Sequence, residues 1–161
     1  MHARKVINAD NVFWKKRTDN LLIRDATITA TSGDISKISD LKVIDTDDII
    51  TEDPLKIDYS KGLWKPDDSD LKPCINIVFN GEKTVEQIVL HGSPMSDHIE
   101  KCNIEIYLGE QTVKVDSLMP YGQPTILNIG RVQCSHIEIR SLSQTCISEI
   151  EVFQPAQRIV N

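Results

Sequence analysis

From Pro73 onward the chain alternates. In "CINIVF" the residues Ile75, Ile77 and Phe79 fall on one side, with Cys74, Asn76 and Val78 between them. "CNIEIYLGEQTVKVDSL" repeats the pattern with Ile104, Ile106 and Leu108, turns at Gly109-Glu110, and returns through Val113 and Val115. A period of two belongs to a half-buried β-strand, because successive side chains point to opposite faces of the sheet. "TVEQIVLHG", "TILNIG", "RVQCSHIEIRSL" and "TCISEIEVF" continue the series. "NGEK", built on Asn80-Gly81, predicts a turn between the first two strands. Short strands with turn chemistry between them and no amphipathic helix predict an all-β sandwich or barrel.

The part before Pro73 is different. "ATITATS", closed by Gly33, is its one strand candidate. "KVIDTDDIITEDPLKIDYSKGLW" is acidic and irregular, with a short helical turn expected near Pro54–Tyr59. The stretch "KIDYSKGLWKPDDSD" combines four aspartates with one of the two tryptophans. Trp64 is expected to pack inside as an anchor beside the first core strand, the alternative being an exposed platform for a sugar. Asp67, Asp68 and Asp70 are expected to be solvated turn residues. Lys15-Lys16-Arg17 is too short a basic run to read as more than a solvated linker. Trp14, beside Phe13, is expected to cover an edge or to meet an upstream domain. The resulting division is an N-terminal extension over residues 1–24, a sandwich over 25–155 and a tail over 156–161. The start reads as a cut within a larger protein.

The chain has 161 residues, enough for one domain with a sizeable core and no need of disulfides or metals. Its net charge of −6 argues against non-specific binding to nucleic acid or to an anionic membrane. No apolar run is long enough to span a bilayer, and the first residues lack the apolar core of a signal peptide. Cys74, Cys102, Cys134 and Cys146 form no CxxC pair and each lies in or beside an apolar run. They read as reduced, half-buried thiols, with strand-bridging disulfides as the alternative. The four histidines, His2, His91, His98 and His136, sit in no recognisable catalytic motif, and no serine lies in a Gly-x-Ser-x-Gly elbow. The chain is therefore not expected to be an enzyme on its own.

The order of features carries a resemblance. "ITATSG" is followed by an acidic loop ending in "DYSKGLW", then "PCINIVF", then "VEQIVLHG", and the chain closes on "ISEIEVF". This resembles the galactose-binding-like jelly roll of discoidin or coagulation-factor type C domains and family-32 carbohydrate-binding modules, over roughly Thr27 to Phe153. "DYSKGLW" departs from the family loop in having Tyr59 for the usual glycine and no threonine before Trp64. Cys74 stands where the family often has tryptophan. A narrower resemblance joins "FWKKRTDNLL", "ITATSGD" and "GLWKPDDSD" to the accessory β-domain of some bacterial PIG-L-type, zinc-dependent N-acetylglucosamine deacetylases. The catalytic motifs of those enzymes are absent here.

These resemblances imply a non-catalytic module that holds a glycan or glycoconjugate through loops at one end of the sandwich, beside an upstream catalytic domain. Candidate ligand residues are His91, Asp97, His98, Tyr121 and Arg140. They also imply a structural calcium held by Asp58, Glu149 and carbonyls of the loop 59–62; the simpler reading makes Asp58 a turn residue and Glu149 a surface carboxylate. The rival function is an interaction or scaffold domain with no sugar pocket. A discoidin-type membrane binder would show apolar loop spikes, for which only Met95 and Met119 offer themselves.

Overall fold

A computed structural model describes residues 21–39 and 62–155. A four-residue helix, α1 (Leu21–Arg24), leads into β1 (Thr27–Ala30) and a 3-10 turn at Ile35–Ser39. Five further strands follow: β2 (Cys74–His91), β3 (Glu100–Leu108), β4 (Gln111–Leu118), β5 (Pro124–Arg140) and β6 (Glu149–Phe153). All pairings are antiparallel.

β2 and β5 are long because each serves in two layers. Their outer halves, 74–78 against 136–140, are flanked by β1 on one side and by β3 and β4 on the other. Their other halves, 87–91 against 124–128, are flanked by β6. The result is a five-stranded layer packed on a three-stranded layer, a β-sandwich of jelly-roll type. One apolar cluster joins them: Ile75, Ile77, Ile106 and Ile139 from the first meet Ile88, Leu90, Ile150 and Val152 from the second.

The strands cross between layers at bulges. Residues 79–82 of β2 lie opposite Ser135 alone, and residues 129–131 of β5 lie opposite Glu86 alone. Gly81 (φ 94°) and Gly130 (φ 77°) occupy left-handed backbone at these points, where side-chain-bearing residues are strained. The Asn80-Gly81 turn is thus realised as a bulge, not a hairpin, because both flanking segments pair with the same strand. By the same mechanism "TILNIG" and "RVQCSHIEIRSL" form one bent strand instead of two. The expected hairpin at Gly109-Glu110 is present, with Leu108 paired to Gln111.

Leu22 and Ile23 of α1 belong to the core, 7% and 1% exposed, so the packed body begins before Ala26. The expected helical turn at 54–59, together with Trp14 and Asp58, lies outside the described residues. The four cysteines are free, Cys134 buried and the others half-buried.

Candidate functional site

The loops 92–99, 119–123 and 141–148 and the segment 62–73 gather at the end of the sandwich away from the bulges. Trp64 fastens them. Its backbone pairs with Ile147 in both directions, N–H to carbonyl at 2.7 and 2.9 Å. Its side chain is fully buried and its indole N–H donates to the Ser32 carbonyl at 3.0 Å. A buried indole needs such a partner. Gly33 lies so close that a Cβ there would stand 2.6 Å from Trp64 Nε1 and 2.4 Å from the Lys65 carbonyl oxygen.

Asp70 is the turn residue expected, its N–H bonded to the Asp67 carbonyl at 3.0 Å, and it is also a hub. Its carboxylate accepts from Thr31 Oγ1 at 2.5 Å, Ser32 Oγ at 2.7 Å and the Lys72 N–H at 3.2 Å. The Thr31 and Ser32 hydrogen bonds hold this carboxyl below its ordinary range. Thr31 Oγ1 in turn accepts from the Cys74 N–H, which ties the acidic loop to the start of β2.

His91, expected among the ligand contacts, is fully buried. Its Nδ1–H donates to the Gly122 carbonyl at 3.1 Å, and Nε2 meets Glu151 Oε1 at 2.6 Å. Its own carbonyl accepts from the Ser148 N–H at 2.8 Å. It therefore joins β2, β6 and two loops from beneath, and touches no solvent. Glu149 is buried too, which overturns its reading as a surface carboxylate. Among the described residues no three His, Cys, Asp or Glu side chains gather around a metal-sized space.

Asp97, His98 and Tyr121 are brought to one place. Tyr121 donates its N–H to the Ser96 carbonyl at 2.6 Å, joining the two loops. Asp97 and His98 pair at 3.0 Å, both largely exposed, and that bond draws the Asp97 carboxyl below its ordinary range. Tyr121, Met95, Ile99 and Met119 all expose apolar surface here.

Arg140 stands apart from that group, in an open cleft of about 900 Å³ between the start of β3, the end of β5 and the loop 141–145. The cleft has the size of a small-molecule site. Arg140 is fixed from two sides. Its Nε and Nη2 donate to the two oxygens of Glu138 at 2.8 and 3.0 Å, and its guanidinium lies 4.4 Å from the centre of the Tyr107 ring. The Tyr107 hydroxyl donates to Glu105 at 2.9 Å. The Arg140 hydrogen bonds lower the Glu138 carboxyl below its ordinary range. Cys74, in the same wall, is pushed up to about 11 by burial and by its hydrogen bond to Glu138, so its thiol is not a nucleophile at neutral pH. Lys72, Glu100, Lys101, Asn103 and Gln144 add to the polar lining.

The loops here also hold the strained backbone. Tyr121 (φ 55°), Ser141 (φ 64°) and Gln144 (φ 59°) are the described non-glycine residues with left-handed φ, and all three belong to this end. Such strain concentrates at binding sites. The fork around Arg140 escaped the sequence reading, although Glu138 and Tyr107 sit at the solvent-facing positions of their strands, two residues from Arg140 and Glu105. The strand period reveals that they share a face, but not that they pair.

No protein-family model matches the chain, and no curated protein matches it by sequence. Solved structures do match. A fucose-binding module of Streptococcus pneumoniae superposes with a TM-score of 0.57 at 12% identity, over 86% of this chain and 98% of the module. A Clostridium perfringens family 32 module, solved with GalNAc-β-1,3-galactose, gives 0.52 at 12% identity, over 83% and 98%. The family 32 module of Clostridium perfringens NanJ, solved with galactose, gives 0.50 at 14% identity, over 81% and 95%. The fold is a galactose-binding-like β-sandwich. Identity this low speaks for the fold alone. No helix among the described residues of this galactose-binding-like sandwich is long and apolar enough to cross a membrane.

Proposed function

We propose that this chain is a non-catalytic carbohydrate-binding module. The observation that carries the proposal is the cleft at the loop end, with Arg140 locked by Glu138 and Tyr107 and flanked by the amides of Asn103 and Gln144. Charged donors and amides can hydrogen-bond sugar hydroxyls, and rigidity lowers the entropy that binding must overcome. Tyr121, exposed in the separate group with Asp97 and His98, offers a face for a sugar ring. Relatives of the same fold, solved with galactose or GalNAc-β-1,3-galactose, support the class. A glycan array followed by calorimetry tests it. Saturable binding that Arg140→Ala weakens without lowering the melting temperature supports the module. Silence across the array, with tight association to another protein domain, points to the scaffold role instead.

The parent we propose is a deacetylase acting on N-acetylglucosamine-containing substrates, with this module positioning the glycan for an upstream catalytic domain. The resemblance of "FWKKRTDNLL" and "GLWKPDDSD" to that accessory domain supports it. The isolated chain is then expected to release no acetate from such substrates; turnover would overturn its non-catalytic part. A structural calcium belongs to the same proposal. Asp58 lies outside the described residues, while Glu149 offers a carboxylate inside the protein, the hard oxygen donor that calcium takes. Calcium at a hundredfold excess over its dissociation constant would add about 3 kcal/mol of stability. Identical melting with and without chelator removes the ion.

A further inference from the structure

The charges around the cleft are not balanced. Lys72 and Lys101 make no ion pair among the described residues, and Arg140 spends only Nε and one Nη2 donor on Glu138. Arginine carries five N–H donors and no acceptor. Three therefore remain, two of them side by side on the Nη1–Nη2 edge of a guanidinium that Glu138 and Tyr107 already hold still. A planar donor edge of this kind matches a carboxylate better than it matches a hydroxyl. The lining then carries three cations, Lys72, Lys101 and Arg140, against the two carboxylates of Glu100 and Glu138, a surplus of one positive charge. The neighbouring cleft of about 500 Å³, which shares Leu71, Ser143 and Gln144 with the first, is of opposite sign, with Asp67, Asp68 and Asp70 against Lys65.

We infer that the Arg140 cleft takes the terminal, carboxylate-bearing sugar of an otherwise neutral glycan. The anion sits on the outer edge of Arg140 with Lys72 and Lys101 at its sides. The acidic neighbouring cleft repels a second anion, so the rest of the chain is neutral. This rests on the carbohydrate-binding reading above and narrows it.

The test is calorimetry on the full chain with lactose, 3′-sialyllactose and trigalacturonate, at low and at moderate salt. The expected order places sialyllactose about tenfold tighter than lactose, the scale of one charge-assisted fork, with the advantage shrinking as salt rises. Trigalacturonate is expected to bind more weakly than sialyllactose. Lys72→Ala and Lys101→Ala are each expected to weaken sialyllactose about two- to fivefold, as exposed charge contacts do, and to weaken lactose less. Glu100→Gln is expected to tighten it. Arg140→Lys, which keeps the charge and removes the planar edge, is expected to abolish the preference. Both lysine variants are at exposed or loop positions, so they report even if changes at Arg140 disturb folding. Lactose binding as tightly as sialyllactose, or a preference indifferent to salt, overturns the acidic specificity and leaves the carbohydrate module standing. Trigalacturonate binding most tightly overturns the single-anion geometry. Silence with all three sugars and on the array removes both readings.

Discussion

Two aromatic side chains on neighbouring loops are used in opposite ways. Trp64 is 0% exposed, hydrogen-bonded through its indole to Ser32 and closed in by Gly33. Tyr121 is 52% exposed on a left-handed residue whose backbone is pinned to Ser96 and, through Gly122, to His91. The first spends its surface on stability. The second keeps its surface for contact, and the stability of its loop comes from backbone bonds. Binding and folding are thereby separated at this end of the sandwich, and substitutions should affect one or the other.

The sharpest break of that division is Trp64→Ala, expected to cost about 3–5 kcal/mol in denaturant melts, as large buried aromatics do. Gly33→Ala should disturb the same anchor, because the new methyl would overlap Trp64 Nε1 and the Lys65 carbonyl. His91→Ala is expected to cost about 1–3 kcal/mol by leaving the Gly122 carbonyl and the Glu151 carboxylate without the ring. It should also loosen the Tyr121 loop, read as faster amide exchange at residues 119–123. Tyr121→Ala should leave the melting temperature unchanged and lower glycan affinity. A large fall in stability from Tyr121→Ala, or an unchanged fold after Trp64→Ala, would dissolve the distinction.

The smallest expected effect is on acid stability. The Asp70 carboxyl is held down by Thr31 and Ser32, so the fold favours its charged form. Its contribution is complete above the unfolded carboxylate value and is lost as pH falls through the depressed folded value. Melts of the wild type and Asp70→Asn should therefore differ near neutral pH and converge in acid. A difference that persists in acid would separate Asp70 from this titration.

Much of the fold was legible from the period-two runs, since alternation needs only a buried face and an exposed one. The inward packing of Trp64 was legible for the same reason, as a large aromatic beside a core strand. The bulge at Gly81 was not, because Asn-Gly suits any left-handed backbone and only the pairing of both flanks with β5 selects a bulge. The site was less legible still. Asp97, His98 and Tyr121 do gather, but His91 proved to be a buried tie. A histidine ending a strand can face either way, and its direction is set by Glu151, distant in sequence. Arg140 was visible as a residue but not as a fork, for Glu138 and Tyr107 gain meaning only once β3 and β5 lie side by side.

The crossing of β2 and β5 between layers has a kinetic consequence. Neither layer can assemble from local hairpins alone, because both require the same pair of strands, whose partners are far apart in the chain. That pairing must close a long loop before most of the apolar surface is covered. The two layers should then appear together, in one slow step on the order of milliseconds to seconds, as is usual for β-proteins dominated by distant contacts. A chain still emerging during synthesis would hold β2 with β1 as its one partner strand until β5 arrives.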